Sequence, residues 1–248
     1  MKLFCLHGNS GHPSDFLLTE ELLNKRSDIE VISLPLKWHA GDREENKPAV
    51  SLINLGDSLA RNLNSKIDPQ EDYSILAHSL GGNALYHALV KLSYRPRSIL
   101  TIGAPPLNGS ESLSQMFLQE ETAATFFTDD HSSQLLQEFL DKNSDSDNVK
   151  DQLKRGLEST HPKFRSSFFN SIQDGHFENE WQNILNHKVK TIFMCGDMDP
   201  YISRAYLKEM ANQVSYVDYR ELSETGHYPH LTTPQKLVDE ILRVLGTH

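Results

Sequence analysis

Strand-like apolar runs alternate with segments of helical spacing from the amino terminus to about residue 105, and this alternation narrows the fold more than any other feature. KLFCLHG, IEVISLPL, YSILAH and RSILTIGAP read as strands. Between them lie SDFLLTEELLNK, a segment carrying Leu52, Leu55, Leu59 and Leu63, and NALYHALVKLSY, all with apolar residues spaced for one helical face. The pattern resumes near residue 189 with VKTIFMCGD, SRAYLKEMANQ, SYVDYREL and QKLVDEILRVL. Strands separated by helices pair in parallel, because a parallel pair needs a long crossover where an antiparallel pair can use a tight turn. The expected fold is therefore α/β, a mostly parallel sheet of about six strands flanked by helices.

Residues 105 to 188 break the alternation. They are helical in spacing and polar, with Leu135, Leu136, Phe139 and Leu140 on one face, and KNSDSDNVKD within them reads as a loop. Fourteen acidic and seven basic side chains give this section −7 of the net charge of −10. A helical insertion between two strands of a parallel sheet is well placed to cover the strands' carboxyl ends, where open α/β sheets bind ligands. The expectation is a core of residues 1–104 and 189–248 with a mostly helical cap at 105–188.

The acidic balance, with no basic stripe, argues against a nucleic-acid partner. No apolar run approaches the roughly 18 residues of a membrane span. The start MKLFCLHGNS is too briefly apolar for a signal peptide, so the default address is the cytoplasm. Cys5 and Cys195 both fall in strand-like runs and read as small core residues. The sequence holds no Gly-rich phosphate loop, C-x-x-C pair or H-E-x-x-H, and no metal or organic cofactor is expected.

Ser79 is the residue that suggests chemistry. It stands where YSILAH turns into a helix, among the small residues Ala77, Gly81 and Gly82. A sharp strand-to-helix turn needs small neighbours and leaves its central side chain projecting at a helix amino terminus, where negative charge is favoured. The pattern is that of the G-x-S-x-G elbow with Ala77 in place of the first glycine. A serine hydroxyl needs a base, and the base an orienting carboxylate. GDMDP follows one later strand and SETGHYPHL the next, which puts an acid and a histidine at the same sheet edge in the order Ser, Asp, His. After the first strand, His7-Gly8-Asn9-Ser10 can aim a backbone N–H at the same point, to form an oxyanion hole with the N–H of Leu80.

These four segments, LHGNS, AHSLGG, GDMDPYIS and GHYPH, resemble in order the oxyanion loop, nucleophile elbow, acid loop and histidine loop of the α/β-hydrolase superfamily, in its compact bacterial form with an inserted cap. The family's opening strands have no counterpart before LHGN. The resemblance implies that Ser79 is the nucleophile, His227 the general base, Asp199 the acid that orients it, and the N–H groups of Asn9 and Leu80 the oxyanion hole. Asp197 is the rival acid. The implied activity is that of a serine hydrolase working through an acyl-enzyme on a small-molecule acyl substrate, a carboxylic ester first. Lactones, thioesters, amides and C–C bonds are alternatives within the family, and a hydrolase-like receptor with little turnover is an alternative outside enzymology.

Other candidates read more plainly. His78, His7 and His12 are expected to be structural, and the spacing of His227 and His230 lacks the further ligands of a metal site. Met116, Phe117, Phe126-Phe127 and Phe168-Phe169 either hold cap helices down or line a pocket, and Trp38 either contacts substrate or packs a loop.

Overall fold

The computed structural model describes residues 1–43 and 50–246. Six strands form one sheet: β1 (Lys2–Leu6), β2 (Glu30–Leu34), β3 (Tyr73–His78), β4 (Ser98–Ile102), β5 (Lys190–Gly196) and β6 (Val217–Leu222). Their order is β2-β1-β3-β4-β5-β6 and every neighbouring pair is parallel. β3 and β4 are buried at every position, as strands covered on both faces must be.

Side-chain alternation sorts the core into two layers. Leu3 and Cys5 of β1, with Leu76, Leu100 and Met194, face α1 (Leu17–Asn24) and the long carboxyl-terminal helix, residues 234–245. Phe4, Leu6, Ile75 and Phe193 face the other way, against α2 (Leu52–Asn64) and α3 (Leu80–Ala88). The chain leaves β1 for β2 on one side and returns to β3 on the other. The carboxyl ends of β1 and β3 therefore flank the switch point, where a parallel sheet opens a crevice.

Between β4 and β5 the chain makes no strand among the described residues. It runs through α4 (Leu113–Met116), a 3-10 segment Glu121–Phe126, α5 (Ser133–Asn143), α6 (Asp147–Ser159), α7 (Phe164–Gln173) and α8 (Glu180–His187). Leu118 N–H donates to the Tyr201 carbonyl (2.7 Å) and Ser203 N–H to that of Met116 (2.9 Å), which fastens the region after α4 to the loop after β5. α8 packs on α3 at the side of the sheet. The stretch KNSDSDNVKD, expected as a loop, is mostly helix: α5 ends at Asn143 and α6 begins at Asp147. Its apolar face starts at Val149 but continues through Leu153 and Leu157, beyond the stretch read as a loop.

α6 meets the loop after β1 at Gly156, where a Cβ would lie 2.2 Å from the Ser10 carbonyl oxygen. Glycine inside a helix usually costs about 1 kcal/mol relative to alanine. Here the sign reverses. Gly156→Ala is expected to destabilise the protein by about 1–3 kcal/mol in urea unfolding, because the helix must move off the loop.

Candidate active site

The loops after β1, β3, β4, β5 and β6 bring Asn9, Ser79, Gly103, Asp199 and His227 to one place at the carboxyl edge of the sheet. β3 ends at His78, and Ser79 adopts φ 49° and ψ −123°, a conformation that L-residues avoid. Its neighbours hold it there. Ser79 N–H donates to the Ile102 carbonyl (2.8 Å), and its own carbonyl accepts from Gly82 N–H (2.8 Å) to start α3. Gly81 and Gly82 provide the close packing expected of them, since a Cβ would sit 2.5 Å from the His7 carbonyl oxygen at the first and 2.4 Å from Ala104 Cβ at the second. α3 thus begins at Leu80, directly after the strained residue and not at Asn83, where apolar spacing first becomes visible.

The loops after β5 and β6 are knitted together. Asp197 N–H donates to the Leu222 carbonyl (3.0 Å) and Met198 N–H to that of Thr225 (3.0 Å). His227 Nδ1 lies 2.7 Å from Asp199 Oδ2, and both side chains are buried. The other oxygen, Asp199 Oδ1, accepts from the N–H groups of Tyr201 (2.9 Å) and Ile202 (3.2 Å), which fixes the carboxylate plane. The Cys195 thiol reaches Asp199 Oδ2 at 3.7 Å; burial, with the nearby carboxylate, pushes its pKa far up and keeps it a neutral thiol. Asp197 is turned elsewhere: the N–H groups of Glu224 and Thr225 hold its carboxyl below the usual range. Of the two candidate acids, Asp199 is the one paired with the imidazole.

Ser79 and His227 line the same cavity, of about 280 Å³. Neither Ser79 Oγ nor His227 Nε2 has a hydrogen-bond partner among the described residues. Asn9 and Leu80 are also on its wall, and neither N–H donates to a described residue. The remaining lining is overwhelmingly apolar. Met116, Phe117, Phe126, Phe127, Phe168 and Phe169 all contribute, so the aromatic pairs of the insertion are pocket wall. Trp38 is not; it is buried against Phe164 in a loop, at φ 65°.

The remaining histidines form the foundation. His78 Nε2 lies 2.9 Å from the His227 carbonyl oxygen and donates to it, and its ring packs on those of His227, Tyr228 and His230. His7 accepts from Leu36 N–H through Nε2 (3.1 Å) and donates through Nδ1 to the Gly8 carbonyl (2.9 Å). His12 caps the 3-10 turn Pro13–Phe16, accepting from Ser14 N–H at 3.1 Å. Burial pushes His7 and His230 down to about 3, and His78 well below the ordinary imidazole value, so all three are neutral.

One buried cation escaped the sequence reading. Arg165 of α7 is 4 % exposed and bonds only neutral acceptors. Its Nη1 donates to Ser10 Oγ (2.9 Å) and the Leu157 carbonyl (3.3 Å), and its Nε to the Thr128 carbonyl (3.0 Å). Ser10 Oγ in turn donates to Asn9 Oδ1 (3.0 Å), and Asn9 Nδ2 donates to the Phe126 carbonyl (2.8 Å). A guanidinium in a polar, helical stretch looks like a solvated surface residue, and only the fold brings it beside the loop after β1.

Comparison with known proteins agrees with this architecture. The sequence matches the Alpha/beta hydrolase family over residues 3–240. A search of curated proteins finds no match. Among solved structures, the N-acyl homoserine lactonase AidH complexed with N-butanoyl homoserine superposes with a TM-score of 0.81 at 16% identity, covering 98% of this chain and 88% of that one. MenH from S. aureus gives 0.75 at 16% identity, with 99% and 93% covered. A carboxylesterase structure from the thaumarchaeon Nitrososphaera gargenis gives 0.75 at 18%, with 99% and 89% covered. At such identities the likeness is one of fold. Among the described residues no helix is long and apolar enough to cross a membrane. The match over nearly the whole chain, on a parallel six-stranded sheet, makes this protein a member of the alpha/beta hydrolase family.

Proposed function

We propose that the protein is a serine hydrolase that cleaves carboxylic esters of small to medium, uncharged acyl groups. The observation that carries the reading is the convergence of strained Ser79, the His227–Asp199 pair and the two free N–H groups of Asn9 and Leu80 on one apolar cavity. Ser79 Oγ attacks the carbonyl carbon while His227 Nε2 takes its proton. The N–H groups of Leu80 and Asn9 receive the oxyanion, aided by the amino terminus of α3. His227 then passes the proton to the departing alcohol, leaving an acyl-Ser79 ester. Water attacks that ester by the same route and frees the acid. Asp199 holds Nδ1–H throughout and stabilises the imidazolium. Residues 105–188 act as the cap over a core of 1–104 and 189–248, and their phenylalanines select an apolar acyl chain. A lactone is an internal ester and falls within the same chemistry; the structural neighbour AidH is described as a lactonase.

The direct test is labelling with a fluorophosphonate, read by intact mass and peptide mapping. One adduct at Ser79, absent from Ser79→Ala, is expected. No adduct on the folded wild type would remove the activated serine and with it this function.

Gly103 provides a second test. It follows β4 at φ 55°, and a Cβ there would meet His227 Cε1 at 2.9 Å, Nδ1 at 3.0 Å and Asp199 Oδ2 at 3.2 Å. Gly103→Ala strains the backbone and displaces the imidazole–carboxylate pair. A fall in ester kcat on the order of 10²-fold is expected, with a smaller change in KM, since misplacement by about 1 Å has effects of that size.

A further inference from the structure

We propose that Asn83 is a specificity residue whose side-chain oxygen selects acyl substrates carrying an N–H or O–H donor a few bonds from the scissile carbonyl. The proposal rests on the hydrolase reading of the Ser79 site and extends it to the substrate.

Among the lining residues, Asn9, Asn83 and Gln173 carry side-chain amides. Asn9 is used at both ends, donating to Phe126 and accepting from Ser10. Gln173 is exposed at the rim, where water competes for it. Asn83 differs from both. Its Nδ2 donates to the Pro105 carbonyl (3.0 Å) and to Glu180 Oε2 (2.8 Å). Two acceptors on one side of the amide fix which end is nitrogen, so the other end is an acceptor. Oδ1 accepts from no described residue, and Asn83 is only half-buried, so the oxygen stays open to solvent where the residue forms the cavity wall.

What holds Asn83 is itself unusual. Glu180 is 0 % exposed, and its Oε2 also accepts from Leu107 N–H (2.8 Å). Its Oε1 lies 3.2 Å from Nε2 of the buried His87. A buried carboxylate is expensive to keep. This one holds the Asn83 amide in a single orientation beside the nucleophile. Because Oε2 accepts two N–H bonds, any proton gained by Glu180 belongs on Oε1, and the clamp on Asn83 survives either protonation state.

Position then specifies the substrate. Asn83 lies one helical turn after Ser79, about 6 Å along the axis, and helical side chains lean back toward the amino terminus. A donor that meets Oδ1 therefore sits close to the carbonyl under attack, as the N–H of an N-acylglycine ester does. A methylene in its place would strip water from Oδ1 and return no hydrogen bond. Sites built to bond a polar group reject the analogue that lacks it.

The test compares methyl N-butanoylglycinate, methyl N-butanoylsarcosinate and methyl 4-oxoheptanoate, in which CH₂ replaces the N–H. Each kcat/KM is divided by the rate of hydroxide hydrolysis. The wild type is expected to favour the N–H ester by at least about tenfold over both others, a difference of one net hydrogen bond. In Asn83→Leu the ratio should fall to near one. If Asn83→Leu does not fold, Asn83→Ser keeps a donor toward Glu180 but withdraws the oxygen, and the same collapse is expected. A wild-type ratio near one, or a ratio unchanged in the folded variant, overturns the proposal. Calorimetric binding of the same three esters to Ser79→Ala reads Asn83 without turnover, and equal affinities there would likewise overturn it. Failure of the hydrolase reading would appear separately, as a wild type that takes no fluorophosphonate at Ser79.

Discussion

Alanine at position 79 is expected to lower kcat for a simple ester by at least about 10⁴-fold while leaving the folded protein intact. Ser79 Oγ bonds no described residue, so its loss should change the unfolding free energy by no more than about 0.5 kcal/mol. His227→Ala should match it, and the double variant should be no worse than either single one, because nucleophile and base act as a unit. Asp199→Asn tests the orienting role. The amide can accept from Tyr201 and Ile202 but presents N–H to His227 Nδ1, which favours the wrong tautomer and should cost about 10⁴ in kcat. Asp197→Asn, by contrast, should stay within a few-fold of wild type. Steady-state kinetics with circular dichroism on each variant check all five, and residual activity of Ser79→Ala within tenfold of wild type would move the chemistry elsewhere.

The second large effect is acid unfolding. His7, His39, His78 and His230 are buried, and burial lowers each pKa: to about 3 for His7 and His230, to about 4 for His39, and well below the ordinary value for His78. Such groups stay neutral when folded but bind protons in the unfolded chain below about pH 6.5, so stability falls as the pH drops from there toward the folded values. Each contributes a slope that grows from about 0.7 kcal/mol per pH unit at pH 6.5 toward about 1.4 below it. Between pH 6.5 and 5 the four together remove roughly 6–7 kcal/mol, within the range of the whole stability of an ordinary domain. Asp15 opposes them. Burial raises its carboxyl to about 6, so the folded state is relieved of a buried charge as the pH falls, worth about 1–2 kcal/mol over the same range. Glu180, whose carboxyl burial also raises, acts in the same direction, and the two acids do not offset four histidines. Urea midpoints measured from pH 7.5 to 4.5 should fall steeply below pH 6.5, and a flat profile would show that these rings are charged or accessible in the native state.

The parts of this molecule that were legible in its sequence are those governed by periodicity or by chemistry at a fixed offset. YSILAH is bounded by its own apolar run and is the strand β3 as read. Ser79 stands directly after a strand and Asp199 and His227 in the loops after two others, and parallel pairing carries every strand end to one edge. Periodicity fails where residues are used one at a time. Asn83 carries no mark to separate it from other helix asparagines, because its partner Glu180 lies far along the chain. Gly103 could have been suspected from TIGAP, where a glycine follows a buried strand, yet nothing local points to the imidazole above it. Arg165 hid in a stretch whose charge suggested only solvation. The short 3-10 turns at Pro13–Phe16 and Glu121–Phe126 depend on caps and tertiary contacts and leave little trace in apolar spacing.

The link from Arg165 through Ser10 to Asn9, with Asn9 bonded on to Phe126, ties the insertion at 105–188 to the loop after β1. Moving that insertion off the core would take the Ser10 hydroxyl from a buried guanidinium, which keeps its Thr128 and Leu157 acceptors, and would break the Asn9–Phe126 bond at the residue whose N–H the proposed mechanism assigns to the oxyanion. The open molecule would then hold a serine without a finished hole for the charge it creates. On the proposed hydrolase reading, competence is therefore tied to the insertion staying seated on the loop after β1.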